Sequence, residues 1–253
     1  MNPFTTSRLE TLKFFEGGDL RTLVCEVKKS PRARRIRLRL KSPDSALLTF
    51  PKQMSWKAAD RFLQEHFDWL QKKSREFPRP VSLTEHFSRG GHICLGPAGG
   101  ERRVAVGSDP DADVSRVSLE NQQVTLFFSS ANKQEAQLKE ACRKLAHQFI
   151  PGWLGWAEEK TGLQAKKMRI GDQKTRWGSC SPNGTVSLNW RILLLPRELG
   201  DYLIFHELAH LSEMNHSPRF WLRLEELVSG ARALDRRLSR EGRKIFCLGR
   251  EAG

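Results

Sequence analysis

The chain has 253 residues, and 43 Lys or Arg against 29 Asp or Glu give it a formal charge of +14 with histidine neutral. At roughly 150 residues per domain it is one large domain or two modest ones, and 38% apolar with 28% charged residues is a globular rather than a disordered composition. Its apolar runs fall far short of the ~20 residues of a membrane span, and Arg8, Glu10 and Lys13 interrupt the place of a signal peptide, so a cytoplasmic protein without membrane partners is expected.

Residues 20–128 read as a β-rich N-terminal subdomain. Leu20 to Val27, Arg35 to Lys41 and Ala46 to Phe50 alternate with period two, and Val104 to Val106 and Val124 to Phe128 come later. One helix interrupts them: Ser55 can cap it, and Trp56, Ala59, Phe62, Leu63, Phe67 and Leu70 recur at helical spacing until Pro78. The stretch from Gly96 to Arg116, with Pro97, Gly99, Gly100 and Asp109 to Asp113, otherwise reads as a loop without a core.

Residues 131–253 form the second expected subdomain, ending in a basic tail. Ala131 to about Trp156 is a predicted helix with a kink or break at Pro151. Met168 to Ile170, Thr175 to Cys180 and Thr185 to Trp190 are predicted strands, the last two joined by the hairpin signal Asn183-Gly184. A helix is predicted from about Pro196 to Ser212, and Ser217-Pro218 opens another. The fold class expected is therefore α+β.

The charge is local. Lys28 to Lys41 carries eight basic residues and no acid, and Ser229 to Arg250 carries seven basic and two acidic residues. Arg35, Arg37 and Arg39 alternate with Ile36 and Leu38, the pattern of a half-buried strand with one basic face. Such a face is either a solvated surface or a patch for nucleic acid or another polyanion. The five cysteines, Cys25, Cys94, Cys142, Cys180 and Cys247, are scattered with no C-x-x-C pair, which argues against a cysteine zinc knuckle and against a disulfide scaffold.

The chemical signal is His206-Glu207-Leu208-Ala209-His210. Residues four apart share a helical face, so two imidazoles can converge on one zinc ion with the intervening glutamate beside the open position. An accidental H-E-x-x-H in a chain this poor in histidine has a probability of roughly one per cent. The surrounding residues Leu203, Ile204, Phe205, Leu208 and Leu211 mark a buried helix, where an unpaired carboxylate and two unpartnered imidazoles would be costly and a metal removes the penalty. The third ligand is either His216 or a carboxylate of the next helix, Glu225 or Glu226. For a turn bringing His216 back, Glu213 stands where a glycine would ease the reversal, and Asn215 is able to adopt the left-handed conformation instead.

Arg176-Trp177-Gly178-Ser179-Cys180-Ser181, Leu188-Asn189-Trp190-Arg191, Asp201-Tyr202 before the histidine motif, Asn215-His216-Ser217 and Phe220-Trp221 together resemble the YgjP-like metallopeptidases, relatives of the SprT-like and minigluzincin group. The resemblance implies a zincin-like catalytic domain with an antiparallel hairpin beside the active-site helix. It also implies one Zn²⁺ per chain held by His206, His210 and His216, and Glu207 as general base toward a zinc-activated water.

The resemblance further implies a protein or peptide substrate, and the hairpin from Thr175 to Trp190 is the candidate edge on which an extended segment adds as a strand. Arg176 and Asn189 are candidates for contacts to the metal's surroundings or the oxyanion, and Arg35, Arg37 and Arg39 for a nucleic-acid patch. Two other readings stay open: a nucleotide pyrophosphohydrolase, which needs Mg²⁺ among clustered carboxylates, and a non-catalytic nucleic-acid-binding protein with a structural zinc, which would recruit a fourth ligand.

Overall fold

In a computed structural model of the chain, residues 7–77, 81–108, 116–120, 122–129, 133–173 and 176–249 are described. They fall into two compact units, Met1–Arg79 and Pro80–Gly253.

The first unit opens with a strand ahead of the first one expected. β1 (Ser7–Glu16) and β2 (Asp19–Ser30) form an antiparallel hairpin turned through Gly17 and Gly18, at φ +61° and +95°. β3 (Arg37–Ser42) and β4 (Ser45–Pro51) form a second hairpin, and β2 and β4 pair in parallel, giving the order β1-β2-β4-β3. The helix expected from Ser55 to Pro78 is two helices, α1 (Trp56–Glu65) and α2 (Phe67–Glu76). The break falls at His66, whose backbone angles of φ −105° and ψ 14° depart from the helix and whose Nδ1 lies 2.9 Å from the Phe62 carbonyl. Alternation sends Leu23, Cys25, Val27, Ala46, Leu48 and Phe50 to one face, where they share a core with Ala59, Leu63 and Leu70 of the helices. Arg37 and Arg39 stay exposed.

The second unit begins with α3 (Leu83–Ser88), β5 (His92–Cys94), α4 (Gly96–Gly99), β6 (Glu101–Ser108), β7 (Arg116–Glu120) and β8 (Gln123–Phe128). Two hairpins again meet in a parallel pair, β6 against β8, in the order β5-β6-β8-β7. The stretch from Gly96 to Arg116 is thus more ordered than a loop: Gly96 and Gly99 are buried in α4, and β6 is an interior strand. Asp109 to Asp113 lie outside the described residues.

α5 (Gln134–Thr161) runs through Pro151 without a break. Proline in a helix costs about 3 kcal/mol, and here Ile150, Trp153, Leu154 and Ala157 are all buried around it, which offsets the lost backbone bond. Leu138 and Leu145 of α5 share one core with Ile93, Val124 and Leu126 of the sheet, and the Glu135 carboxylate accepts from Leu83 N at 2.5 Å. That packing joins β5–β8 to the C-terminal elements of the chain. The division therefore falls between residues 79 and 80 rather than near 128–131, where the composition changes.

β9 (Lys167–Gly171), β10 (Gly178–Cys180) and β11 (Thr185–Asn189) make a mixed sheet in the order β10-β11-β9, with the β10–β11 hairpin turned at Gly184, φ +76°. β10 is shorter than the expected Thr175 to Cys180, and Thr175 itself lies outside the described residues. A 3-10 turn (Trp190–Leu194), α6 (Arg197–Ala209), α7 (Pro218–Leu227) and α8 (Ala231–Ile245) complete the unit. α8 is the arginine-rich segment expected as a tail, anchored by buried Ala231, Leu234, Leu238 and Gly242. The fold is α+β, and no helix among the described residues is long and apolar enough to cross a membrane.

Candidate metal centre

α6 is buried almost all round: Leu199, Tyr202, Leu203, Ile204, Phe205, Leu208 and Ala209 sit in the core. This forces His206, Glu207 and His210 into apolar surroundings. The helix ends at Ala209, where Leu211 and Ser212 donate back to Leu208 and Ala209 at 2.9 and 3.1 Å. The chain then turns through Ser217, whose Oγ accepts from Phe220 N at 3.3 Å and caps α7. The turn needs no left-handed residue, because Gln122 is the one non-glycine with positive φ among the described residues. Five residues between the two histidines suffice to reverse direction with ordinary backbone angles, so Asn215 does not take the left-handed conformation.

The turn brings His216 back to α6. One ring nitrogen from each of His206, His210 and His216 lies within 4.8 Å of the others, and the Nε2 atoms of His206 and His216 are 3.0 Å apart. The imidazole centroids are 4.8 to 5.0 Å from one another, and Phe220 of α7 stacks on His210 at 4.4 Å and 25°. The rival carboxylates are occupied elsewhere: Glu225 accepts from Gly230 N and Ala231 N, and Glu226 pairs with Arg223.

Three imidazoles presenting nitrogens to one point fit a divalent cation. Two neutral rings buried against Phe220 without such a cation would leave lone pairs facing each other. Burial pushes His206 down to about 3, helped by the charges of His210 and His216; burial likewise lowers His210. Burial thus favours, for His206 and His210, the neutral form that binds metal.

Glu207 is 4% exposed, and its Oε2 has no hydrogen-bond partner among the described residues. Burial pushes its carboxyl up to about 8, opposed by the charge of Arg176. β10 presses on it: a Cβ on Gly178 would lie 2.7 Å from Glu207 Cγ and Cδ and closer still to Oε1. Glycine is needed here for close approach.

Arg176 is exposed and acts on Glu207 through its field. Asn189 is fully buried and committed to backbone, its Nδ2 donating to the carbonyls of Gln173 and Arg176 at 2.9 and 3.4 Å while its Oδ1 accepts from Arg191 N at 3.1 Å. It therefore holds the segment entering β10 rather than presenting a donor to the centre.

Two residues at the centre are not among the candidate site residues of the sequence, although Tyr202 stands in the Asp201-Tyr202 block ahead of the histidine motif. Tyr202 Oη lies 3.1 Å from His206 Nδ1 and donates to Asp235 Oδ1 at 3.1 Å. The i, i+4 spacing of Tyr202 and His206 is a usable signal, whereas Asp235 lies on a helix that the arginine density conceals.

In the first unit, Arg32, Arg34, Arg35, Arg37 and Arg39 line one groove of about 730 Å³ with Leu47 and Thr49 in it. None of the five makes an ion pair among the described residues.

The family model described as YgjP-like, metallopeptidase domain matches residues 34–241. The chain is also similar to the solved metallopeptidase zymogen of Pyrococcus abyssi abylysin, with 31% identity over 35% of this chain and 91% of that one and a TM-score of 0.32. No curated protein matches the chain.

Proposed function

The chain belongs to the YgjP-like metallopeptidases, and from that membership we propose that it is a zinc-dependent peptidase in which His206, His210 and His216 hold the metal and Glu207 is the general base. The observations that carry this reading are three converging imidazoles and, on the residue next to His206, an orphaned buried carboxylate oxygen of Glu207. Zinc in such a site supplies Lewis acidity toward the scissile carbonyl and makes water acidic enough to react near neutral pH.

Glu207 takes the proton of the attacking water on its free carboxylate oxygen and returns it to the nitrogen of the leaving amine. Arg176 favours the ionised form of Glu207, which the base needs at the start of the cycle. At 4% exposure the Glu207 side chain is largely shielded from bulk water. An extended peptide would lie along β10, the edge strand of its sheet.

The competing chemistries lack residues. Pyrophosphohydrolysis needs clustered carboxylates for Mg²⁺, and a closed structural zinc needs a fourth ligand. Among the described residues the one group able to hold a metal is the three histidines, with no carboxylate or cysteine in it. The test is metal content of purified protein together with cleavage of unfolded protein substrates by wild type and Glu207→Gln. One zinc per chain with no Glu207-dependent cleavage would sink the peptidase reading.

A second reading concerns the partner: the arginine groove of the first unit binds a nucleic-acid backbone through Arg35, Arg37 and Arg39. Five exposed guanidiniums without ion pairs on one groove support it. Fluorescence polarisation with DNA and RNA oligonucleotides should show affinity falling steeply with salt, with a log–log slope about 3 smaller after all three are changed to alanine. Salt-insensitive or undetectable binding would remove this reading.

A further inference from the structure

We propose that Asp235, acting through Tyr202, is a positioning residue that fixes the ring orientation and tautomer of His206 for metal binding; this rests on the zinc reading of the three-histidine centre. α8 carries Arg232, Arg236, Arg237, Arg240 and Arg243, so an aspartate among them would ordinarily be drawn into an ion pair. Three of its arginines have other partners. Arg237 pairs with Glu198 and Glu241, Arg240 with Glu241, and Arg232 lies over the Trp221 ring at 4.5 Å. Asp235 makes no ion pair among the described residues, and its oxygen instead accepts from the hydroxyl of Tyr202, which is 1% exposed.

The direction of the chain of hydrogen bonds is set by the chemistry of its ends. An ionised carboxylate only accepts, so the Tyr202 proton points to Asp235. The Tyr202 oxygen then has only lone pairs to offer His206 Nδ1, 3.1 Å away. Nδ1 must therefore carry the ring proton, which leaves Nε2 unprotonated and aimed at His216 Nε2. His210 arrives at the same state by a different route: its Nδ1 lies 2.9 Å from the Glu213 carbonyl, also an acceptor only. Outer hydrogen bonds of this kind orient metal-binding imidazoles and typically change metal affinity 10- to 100-fold. Here the anchor of the relay comes from the arginine-rich helix, 29 positions beyond the ring it holds.

The experiment measures Zn²⁺ affinity of the full chain by competition with a chromogenic chelator, for wild type, Tyr202→Phe, Asp235→Ala and Asp235→Asn. Thermal midpoints in chelator and the His206 tautomer by ¹⁵N NMR of metal-free protein are recorded alongside. Tyr202→Phe and Asp235→Ala are expected to weaken Zn²⁺ binding about 10- to 100-fold. Asp235→Asn, which keeps an acceptor oxygen, should lose less than Asp235→Ala. Metal-free wild type should show His206 protonated on Nδ1, with the Nε2-protonated form appearing in Tyr202→Phe. A lowered thermal midpoint with Zn²⁺ affinity within about twofold of wild type would mean a merely structural contact and overturn the proposal, as would a wild-type His206 protonated on Nε2. Failure of the zinc reading looks different: wild type itself would take up no Zn²⁺, and both would fall.

Discussion

Changing Gly178 to alanine places one methyl group against Glu207, the proposed general base. The new Cβ would stand 2.7 Å from Glu207 Cγ and Cδ and closer still to Oε1, where ordinary contact begins at 3.4 Å, so the carboxylate or strand β10 must move by at least about 0.7 Å. Neither has room to move far: Glu207 is 4% exposed, and Trp177 beside Gly178 is wedged against Phe246 at 4.2 Å between centroids. Overpacking of a closed site costs about 1–3 kcal/mol, and a misplacement near 1 Å in a catalytic group costs up to about 100-fold in rate. The expected result for Gly178→Ala is a 10- to 100-fold fall in kcat/KM on an unfolded protein substrate, with one zinc per chain retained and a lower thermal midpoint. In a Glu207→Ala background the same methyl has space, so its effect on stability should vanish; that coupling identifies the clash as the cause. Cleavage by Gly178→Ala within about threefold of wild type would refute the reasoning.

Chelation should abolish cleavage and lower the thermal midpoint, and Zn²⁺ should restore both; at metal concentrations about 1,000 times Kd the stabilisation approaches about 4 kcal/mol, read by calorimetry. Asp172→Asn should destabilise the second unit by about 1–3 kcal/mol in urea unfolding, because it strips a carboxylate from Arg191, which is 1% exposed but also donates to the Leu248 carbonyl at 2.9 Å. Burial alone would raise the Asp172 carboxyl, but hydrogen bonds from Lys139 and Arg191, the Arg191 charge and Trp190 hold it well below the usual range. A carboxyl so depressed adds stability above its unfolded value and loses it as pH falls, so the advantage of wild type over Asp172→Asn should shrink from about pH 5 to pH 3; a constant difference would contradict the assignment. Gly200→Ala should destabilise more than an exposed substitution, since its Cβ would meet Trp153 Cζ2 at 2.5 Å where α6 crosses α5; an unchanged urea midpoint would show that the two helices have slack.

The parts of the molecule legible in the sequence are those where one physical signal dominates. The histidine spacing on an apolar helix, the Asn183-Gly184 turn and the caps at Ser55 and Ser217 are local, and the structure has them where the residues indicate. β1 is not legible because its apolar residues point both ways: Phe14 is buried while Leu9 and Phe15 are about 70% exposed, which erases the period of two. α8 is obscured for the opposite reason, with arginines outnumbering a regular stripe of Ala231, Leu234 and Leu238. With that helix hidden, Asp235 is hidden too. The continuation of α5 through Pro151 and the placement of β5–β8 with α5 depend on tertiary burial, to which local pattern is blind.

All three histidines occupy eleven consecutive positions, with a single turn between the second and the third. Loop closure over so short a span is cheap, so the unfolded chain can also gather these imidazoles around an ion. An ion that binds both ends of the folding reaction stabilises the native state by less than its native affinity suggests. It can also act earlier: Zn²⁺ added at the start of refolding should pin the junction of α6 and α7 before distant segments arrive, and quicken folding of the second unit. A site assembled from remote strands would gain no such head start.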